Sequence, residues 1–220
     1  MHSPSSWIEL GRRGAFTTSQ VGRLIGVDPK KVATWISGDP PIIVSDYDRV
    51  AGRIALSFDA LIEARAIAYL MSEGVSSRRL RSLMKLLRHR FDDPHPLARD
   101  RALITDGRSV FERKDQKLID LLSDCYASEE ILRPCLAGRV EFRGGRAAWL
   151  EPDPRALPLV RVDPQRAFGR PVVVDGDVAV PTETLKQAAD VEGIGEAGDW
   201  FGVSEEAVKQ AITFEERLAA

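Results

Sequence analysis

Residues 17–37 read Thr-Thr-Ser-Gln-Val-Gly-Arg-Leu-Ile-Gly-Val-Asp-Pro-Lys-Lys-Val-Ala-Thr-Trp-Ile-Ser, and this stretch decides the fold of the first part of the chain. Thr17 and Gln20 have the spacing of a capping box, in which each side chain satisfies a backbone N–H of the other residue. Gly26 is expected to end this first helix in the left-handed conformation, and Asp28 to cap a second one. The pattern predicts two short helices joined by a tight turn, which is the helix-turn-helix unit.

The outer face of the second helix carries side chains that suit DNA. In such a unit the N-terminal part of the second helix enters the major groove, while the N-terminus of the first meets a phosphate. Lysine suits phosphates and guanine edges, and threonine suits a base or a thymine methyl group. We therefore expect DNA contacts from Thr18, Ser19, Lys30, Lys31, Thr34 and Trp35. Two alternatives stay open: the lysines are merely solvated, or Trp35 belongs to the core.

A hairpin is expected after the second helix. Residues 41–44 and 52–56 have the composition of two short strands, and the loop between them is charged. A hairpin in this place is the usual wing of a winged helix-turn-helix, and Arg49 or Arg53 would reach the DNA backbone from it. A plain surface hairpin is the alternative.

Two longer helices are predicted next. Residues 58–73 are apolar on most sides, which predicts a buried helix. Residues 76–91 carry an apolar stripe and an opposite face that is wholly basic, with no acidic residue in between. That face is either solvated or in contact with phosphate or a partner. Together the two helices offer surface for a homodimer, the usual state of proteins that bind palindromic DNA.

Residues 15–90 resemble the winged helix-turn-helix of the MerR family. The resemblance rests on residues 17–37, the hairpin, Leu-Ser-Phe-Asp-Ala-Leu at 56–61 and Glu-Gly-Val-Ser at 73–76. It implies a DNA-binding domain over residues 1–93. Residues 94–158 are predicted to form a small antiparallel sheet with a helix, including a hairpin at 140–150, and to act as a scaffold. No combination of a nucleophile, a base and an orienting group stands out, so an enzyme is not expected.

The C-terminal segment, residues 159–220, is predicted to contain short strands followed by three helices. Its final 60 residues hold 12 Asp and Glu against 6 Lys and Arg, whereas residues 1–100 hold 15 Lys and Arg against 11 Asp and Glu. An acidic surface suits a basic protein partner and repels DNA.

This segment resembles the C-terminal domain of VapB-type antitoxins. The strings Phe-Gly-Arg-Pro-Val at 168–172, Val-Pro-Thr-Glu-Thr-Leu at 180–185 and Asp-Trp-Phe-Gly-Val-Ser at 199–204 carry the resemblance. It implies binding to a PIN-type toxin ribonuclease, with contacts expected from Phe168, Arg170, Trp200, Phe201 and Arg217. Arg170 and Arg217 are the candidates for an arginine that enters the carboxylate cluster of the toxin.

These observations together predict an α+β chain of 220 residues that acts as a cytoplasmic antitoxin and represses its own operon. The alternative is a MerR-like regulator that senses a small ligand. Neither the two cysteines nor the three histidines have metal-ligand spacing, and no cofactor is expected. No apolar run is long enough for a membrane span, and the first residues do not read as a secretory signal.

Overall fold

The computed structural model describes residues 13–47, 54–100 and 139–219. These residues form helices, a two-stranded sheet and a five-stranded antiparallel sheet, which confirms the α+β class. The chain divides into two compact units, Phe16–Ala147 and Met1–Ala15 with Ala148–Ala220. The predicted middle elements between residues 102 and 136 lie outside the described residues. In the described part of the chain, every helix is too short or too polar to cross a bilayer.

The first unit is mainly helical. Its elements are β1 (Phe16–Thr17), α1 (Thr18–Ile25), α2 (Pro29–Ser37), β2 (Ala55–Leu56), α3 (Phe58–Ser72), α4 (Ser77–Phe91), a one-turn 3₁₀ helix (Pro96–Ala98) and β3 (Val140–Arg143). The buried helix expected at 58–73 is confirmed, because α3 is buried along most of its length and even Glu63 in it has no exposed surface. The apolar stripe of α4 is buried as well. The apolar faces of α3 and α4, which the sequence analysis offered as surface for a homodimer, are therefore buried within the first unit.

The turn between α1 and α2 has the geometry that the sequence predicts. Thr17 and Gln20 form the reciprocal capping box, and Asp28 accepts a hydrogen bond of 2.8 Å from the Lys30 N–H. Gly26 is left-handed, with φ 70°. The Val27 N–H donates to the Gly22 carbonyl at 2.8 Å, so the chain leaves α1 directly against Gly22.

The prediction of a wing hairpin between residues 41–44 and 52–56 is wrong. Residues 41–44 form no strand, and Ala55–Leu56 pairs antiparallel with Phe16–Thr17 instead. The Ile42 and Ile43 N–H groups both donate to the Trp35 carbonyl, at 2.8 and 3.1 Å. Both isoleucine side chains are fully buried, whereas successive residues of a strand would point to opposite faces. Arg49 and Arg53, the expected wing residues, lie outside the described residues.

The second unit is built on a meander. β4 (Arg146–Leu150), β5 (Val160–Val162), β6 (Pro171–Asp175) and β7 (Val178–Pro181) follow β3 in chain order within the five-stranded sheet. The 140–150 hairpin is confirmed, with Gly144 and Gly145 both at positive φ. The three predicted C-terminal helices are confirmed as α5 (Thr182–Glu192), α6 (Ile194–Phe201) and α7 (Glu205–Ala219). Thr182 is the first residue of α5, and its hydroxyl group bonds to Glu215 and Pro171.

Two arginines of α4 hold the segment that follows α2. Arg81 donates to the Pro40 carbonyl at 2.8 Å and packs where a Cβ on Gly38 would stand. Arg88 donates to the Pro41 carbonyl at 3.0 Å and to the Ile42 carbonyl, and it pairs with the buried Glu63 at 3.2 Å. The end of α2 is thereby fixed to α4 by charged hydrogen bonds to backbone oxygens.

The buried His95 extends this network. Its Nε2 lies 2.8 Å from Asp46 and its Nδ1 lies 3.2 Å from Glu63, while Ser57 donates to the same Asp46. Burial alone would lower the pKa of His95, but the hydrogen bonds to Asp46 and Glu63 outweigh burial and raise it to about 9. His95 is therefore an imidazolium at neutral pH, placed between two carboxylates of the first unit.

We expect Gly22→Ala to destabilise the turn between α1 and α2. A Cβ at Gly22 would lie 2.5 Å from the Val27 carbonyl oxygen, which is backbone and cannot move aside cheaply. The free energy of unfolding should fall by about 1–3 kcal/mol or more, as for other overpacked sites. Denaturant unfolding measures the change. Gly195→Ala is the matched control, because its Cβ would meet nothing closer than 3.9 Å and should leave stability unchanged or slightly higher. Equal stability of the two variants would contradict the argument.

We expect the stability of the protein to fall as the pH rises from about 6.5 to about 9. In this window the folded chain keeps the His95 proton and the unfolded chain has lost it, so raising the pH favours unfolding. The shift in pKa corresponds to a loss on the order of 3 kcal/mol across the window. Urea unfolding at a series of pH values measures it. His95→Gln should be less stable throughout but lose this slope, and an identical slope in both proteins would exclude His95 as its source.

Candidate nucleic-acid interface

The outer face of α2 presents the polar residues predicted for DNA contact. Lys30, Lys31 and Thr34 are exposed, with the lysines in the first turn of the helix. The Thr34 hydroxyl donates to the Lys31 carbonyl at 2.7 Å, which leaves its methyl group and oxygen lone pairs facing outward. On α1, Ser19 is exposed and Thr18 is half-buried at the helix N-terminus. The first unit thus carries a solvent-facing ridge with two positive charges at one end.

Trp35 is not part of this ridge. Its side chain is only 4% exposed, so the alternative that placed it in the core is correct and its assignment to DNA contact is wrong. Val32 and Trp35, three residues apart, form the buried stripe of α2, whereas Ala33 and Ile36 are only half-buried. The helix is therefore rotated so that Trp35, predicted on its outer face, faces the core.

One exposed cation near the turn was not singled out from the sequence. Arg23 lies in the last turn of α1 and is exposed. The sequence carried a signal for it, because a charged side chain between the apolar Val21 and Leu24 is expected on the outer face of an amphipathic helix. Arg23 adds a third positive charge to the helix pair.

The basic face of α4 separates into two groups. Arg81 and Arg88 are used inside the unit, as described above. Arg78, Arg79, Lys85 and Arg90 are exposed. The first turn of α4 contains no acidic residue, and Arg88, His89 and Arg90 lie in its last turn. The first unit therefore has a second cationic surface beside the one on α2, and about two thirds of the basic residues predicted for that face of α4 remain open to solvent.

The second unit repeats the turn geometry with the opposite charge. Gly202 is left-handed with φ 66°, against 70° for Gly26, and the Val203 N–H donates to the Gly198 carbonyl at 3.0 Å. As in the first unit, three residues separate the helices α6 and α7, and Ser204 caps the second helix by accepting from the Ala207 N–H. In the first turn of α7, however, the exposed residues Glu205 and Glu206 occupy the positions of Pro29 and Lys30 in α2, and the buried Ala207 occupies that of Lys31.

The residues expected to contact a toxin differ in how they are placed. Trp200 is 77% exposed and Phe168 is 64% exposed, and Arg170 is exposed as well. Phe201 is half-buried. Arg217 is partly exposed but pairs with Asp153 at 2.9 Å. The Ala156 N–H, which bonds to Asp153, and Arg217 both lower the pKa of that carboxyl group. Arg217 is thus already engaged inside the unit, whereas Phe168, Arg170 and Trp200 face outward.

The backbone around Phe168 has an unusual, left-handed conformation. Ala167, Phe168 and Gly169 follow one another at φ 46°, 58° and 84°. For a residue other than glycine the left-handed region costs roughly 1–2 kcal/mol. Hydrogen bonds from the Gly169 N–H to Arg166 and from the Arg170 N–H to Ala167 hold the turn in this form.

Comparison with known proteins supports the fold and no more. No protein-family model matches the sequence, and no curated protein matches it. Among solved structures, the chain is similar to the crystal structure of Rv2018 from Mycobacterium tuberculosis, with a TM-score of 0.67 and 22% sequence identity. The match covers 90% of this chain and 96% of that one. At this identity the likeness shows that the two chains share a fold.

Proposed function

We propose that the chain is the antitoxin of a type II toxin–antitoxin system, which represses its own operon through the first unit and inhibits a PIN-type ribonuclease through the second. The observation that carries the proposal is the opposite charge of the first turns of two helices that follow the same turn geometry. The same turn geometry presents Lys30 and Lys31 in one unit and Glu205 and Glu206 in the other. One surface suits a polyanion, and the other suits a cationic protein.

The DNA-binding part of the proposal rests on the position of the lysines. The N-terminal part of the second helix is the part that enters the major groove in helix-turn-helix proteins. Lys30 and Lys31 lie there, and Thr34 follows one turn later on an exposed face. Arg23 on α1 is available for the phosphate backbone. Contacts of lysine and arginine with phosphate supply most of the affinity, and the exposed basic residues of α4 add to the positive field.

The toxin-binding part rests on the exposed aromatic side chains and on the resemblance of residues 159–220 to VapB-type antitoxins. Large apolar side chains that stay in solvent are typical of surfaces that bind proteins. A ribonuclease has to attract RNA and therefore carries positive surface, which an acidic unit complements. Arg170 is better placed than Arg217 to reach toxin carboxylates, because Arg217 is paired with Asp153.

A MerR-like regulator that senses a small ligand is the second candidate. One observation favours it: Glu63 Oε1 is buried and has no hydrogen-bond partner among the described residues. A buried polar atom without a partner is costly, and a small polar ligand would relieve that cost. A ligand-dependent increase in the thermal unfolding temperature, absent in Glu63→Gln, would support this function over the first.

We expect Lys30→Ala with Lys31→Ala to weaken binding to the DNA upstream of the chain's own gene. If both lysines contact phosphate, the slope of log K against log salt should become shallower by about 2. Fluorescence anisotropy at several salt concentrations measures both quantities. Lys186→Ala with Lys209→Ala removes the same charge from the second unit and should leave affinity and slope unchanged. Equal effects of the two double variants would show that only net charge matters.

We expect the chain to protect cells from the PIN-type nuclease encoded beside it. Trp200→Ser should abolish protection and weaken repression of an operon reporter less than the lysine variant does, because an exposed aromatic anchor is lost while the lysines that contact DNA are untouched. Lys30→Ala with Lys31→Ala should do the reverse. Growth under co-expression and reporter output measure the two activities. Loss of protection in the lysine variant, with the reporter still repressed, would contradict this division of roles.

A further inference from the structure

The large apolar side chains that are exposed in the described residues all belong to the second unit. In the described part of the chain, the large apolar side chains that stay exposed are Phe168, Val191 and Trp200, at 64%, 78% and 77%. All three belong to the unit that contains residues 148–220. The apolar faces of α3 and α4, by contrast, are buried inside the first unit. Any association through exposed apolar surface is therefore expected to use the second unit.

The two exposed patches differ in charge. The turn at residues 166–170 places Phe168 between the exposed residues Arg166, which pairs with Asp163 at 3.4 Å, and Arg170. The helical patch carries Trp200 on α6 with Glu196 and Asp199, which are four and one residues before it and are also exposed. We define these as the basic turn (166–170) and the acidic face of α6 (196–200). The first is aromatic and positive, and the second is aromatic and negative.

The backbone of the basic turn indicates that its shape serves a contact. Two residues other than glycine are left-handed here, and the side chain that they present, Phe168, contributes little to the core because most of it is exposed. Strain of this kind is typical of ligand clamps and binding sites. Val191 and Trp200 lie on ordinary helices, so the strain is confined to the protruding half of the pair.

We propose that the chain forms a twofold dimer in which the basic turn of each copy docks on the acidic face of the other. Phe168 packs against Trp200 of the second copy, and Arg166 and Arg170 meet Glu196 and Asp199. Arginine also binds the face of a tryptophan ring, so Arg170 fits Trp200 by charge and by stacking. Because each copy carries both halves, the contact is made twice and closes, as in most homodimers.

This dimer goes beyond the proposed function, since it concerns the chain by itself. It also sets a condition on toxin binding, because the same aromatic side chains are assigned to both contacts. A protein partner of the second unit would then have to displace the second copy.

Charge reversal tests the proposal with the full-length chain alone. The turn variant is Arg166→Glu with Arg170→Glu, and the face variant is Glu196→Arg with Asp199→Arg. Each reverses exposed residues, so circular dichroism should confirm an unchanged fold. In sedimentation velocity the unmodified chain should be a dimer. Each variant alone should dimerise about a hundredfold more weakly, because like charges then meet in both contacts.

Mixing the two variants gives the decisive result. A glutamate turn then meets an arginine face, and an unmodified turn meets an unmodified face, so both contacts of the mixed dimer are restored. Arg155→Glu with Lys209→Glu reverses two exposed charges elsewhere in the unit and should leave the dimer intact. A monomeric unmodified chain, dimeric single variants, or a mixture that stays monomeric would each overturn the proposal. A dimer that persists in Phe168→Ser would overturn the role of the basic turn.

Discussion

The position of α2, the candidate DNA-binding helix, depends on the hydrogen bonds of the Arg88 guanidinium group. This group joins α4 to the backbone oxygens of the segment after α2 and to the buried Glu63, which in turn bonds to His95. A buried carboxylate that loses its cationic partner costs several kcal/mol, so none of these groups is replaceable by itself. The buried charges of the first unit thus stabilise its fold, while the exposed charges remain available for a ligand.

The sequence predicted those features that depend on near neighbours. The caps at Thr17 and Asp28 and the left-handed Gly26 each depend on residues within about one helical turn. Features that depend on distant residues were missed. The course of residues 41–44 is set by the Trp35 carbonyl and by arginines more than 40 residues away, and no local pattern records either contact.

The candidate sites were predictable to a similar extent. Exposure of Lys30, Lys31 and Thr34 followed from helical periodicity, but the same periodicity placed Trp35 outside because the rotation of so short a helix is set by what it packs against. The charge difference between the two ends of the chain was visible in composition. The left-handed backbone at Phe168 could not be predicted, because neither alanine nor phenylalanine favours that conformation and no sequence pattern indicates it.

The recurrence of one turn geometry at Gly22–Asp28 and Gly198–Ser204 gives this protein an internal control. The two motifs match in spacing, in the left-handed glycine and in the backbone bond that closes the turn, so their backbones are interchangeable to a first approximation. Any difference in what they attract has to arise from the few side chains on the following helix. Under the proposed function, placing the first-turn side chains of α2 on α7 would test how much of the preference for DNA is carried by that one turn, because the backbone that leads into both helices is the same.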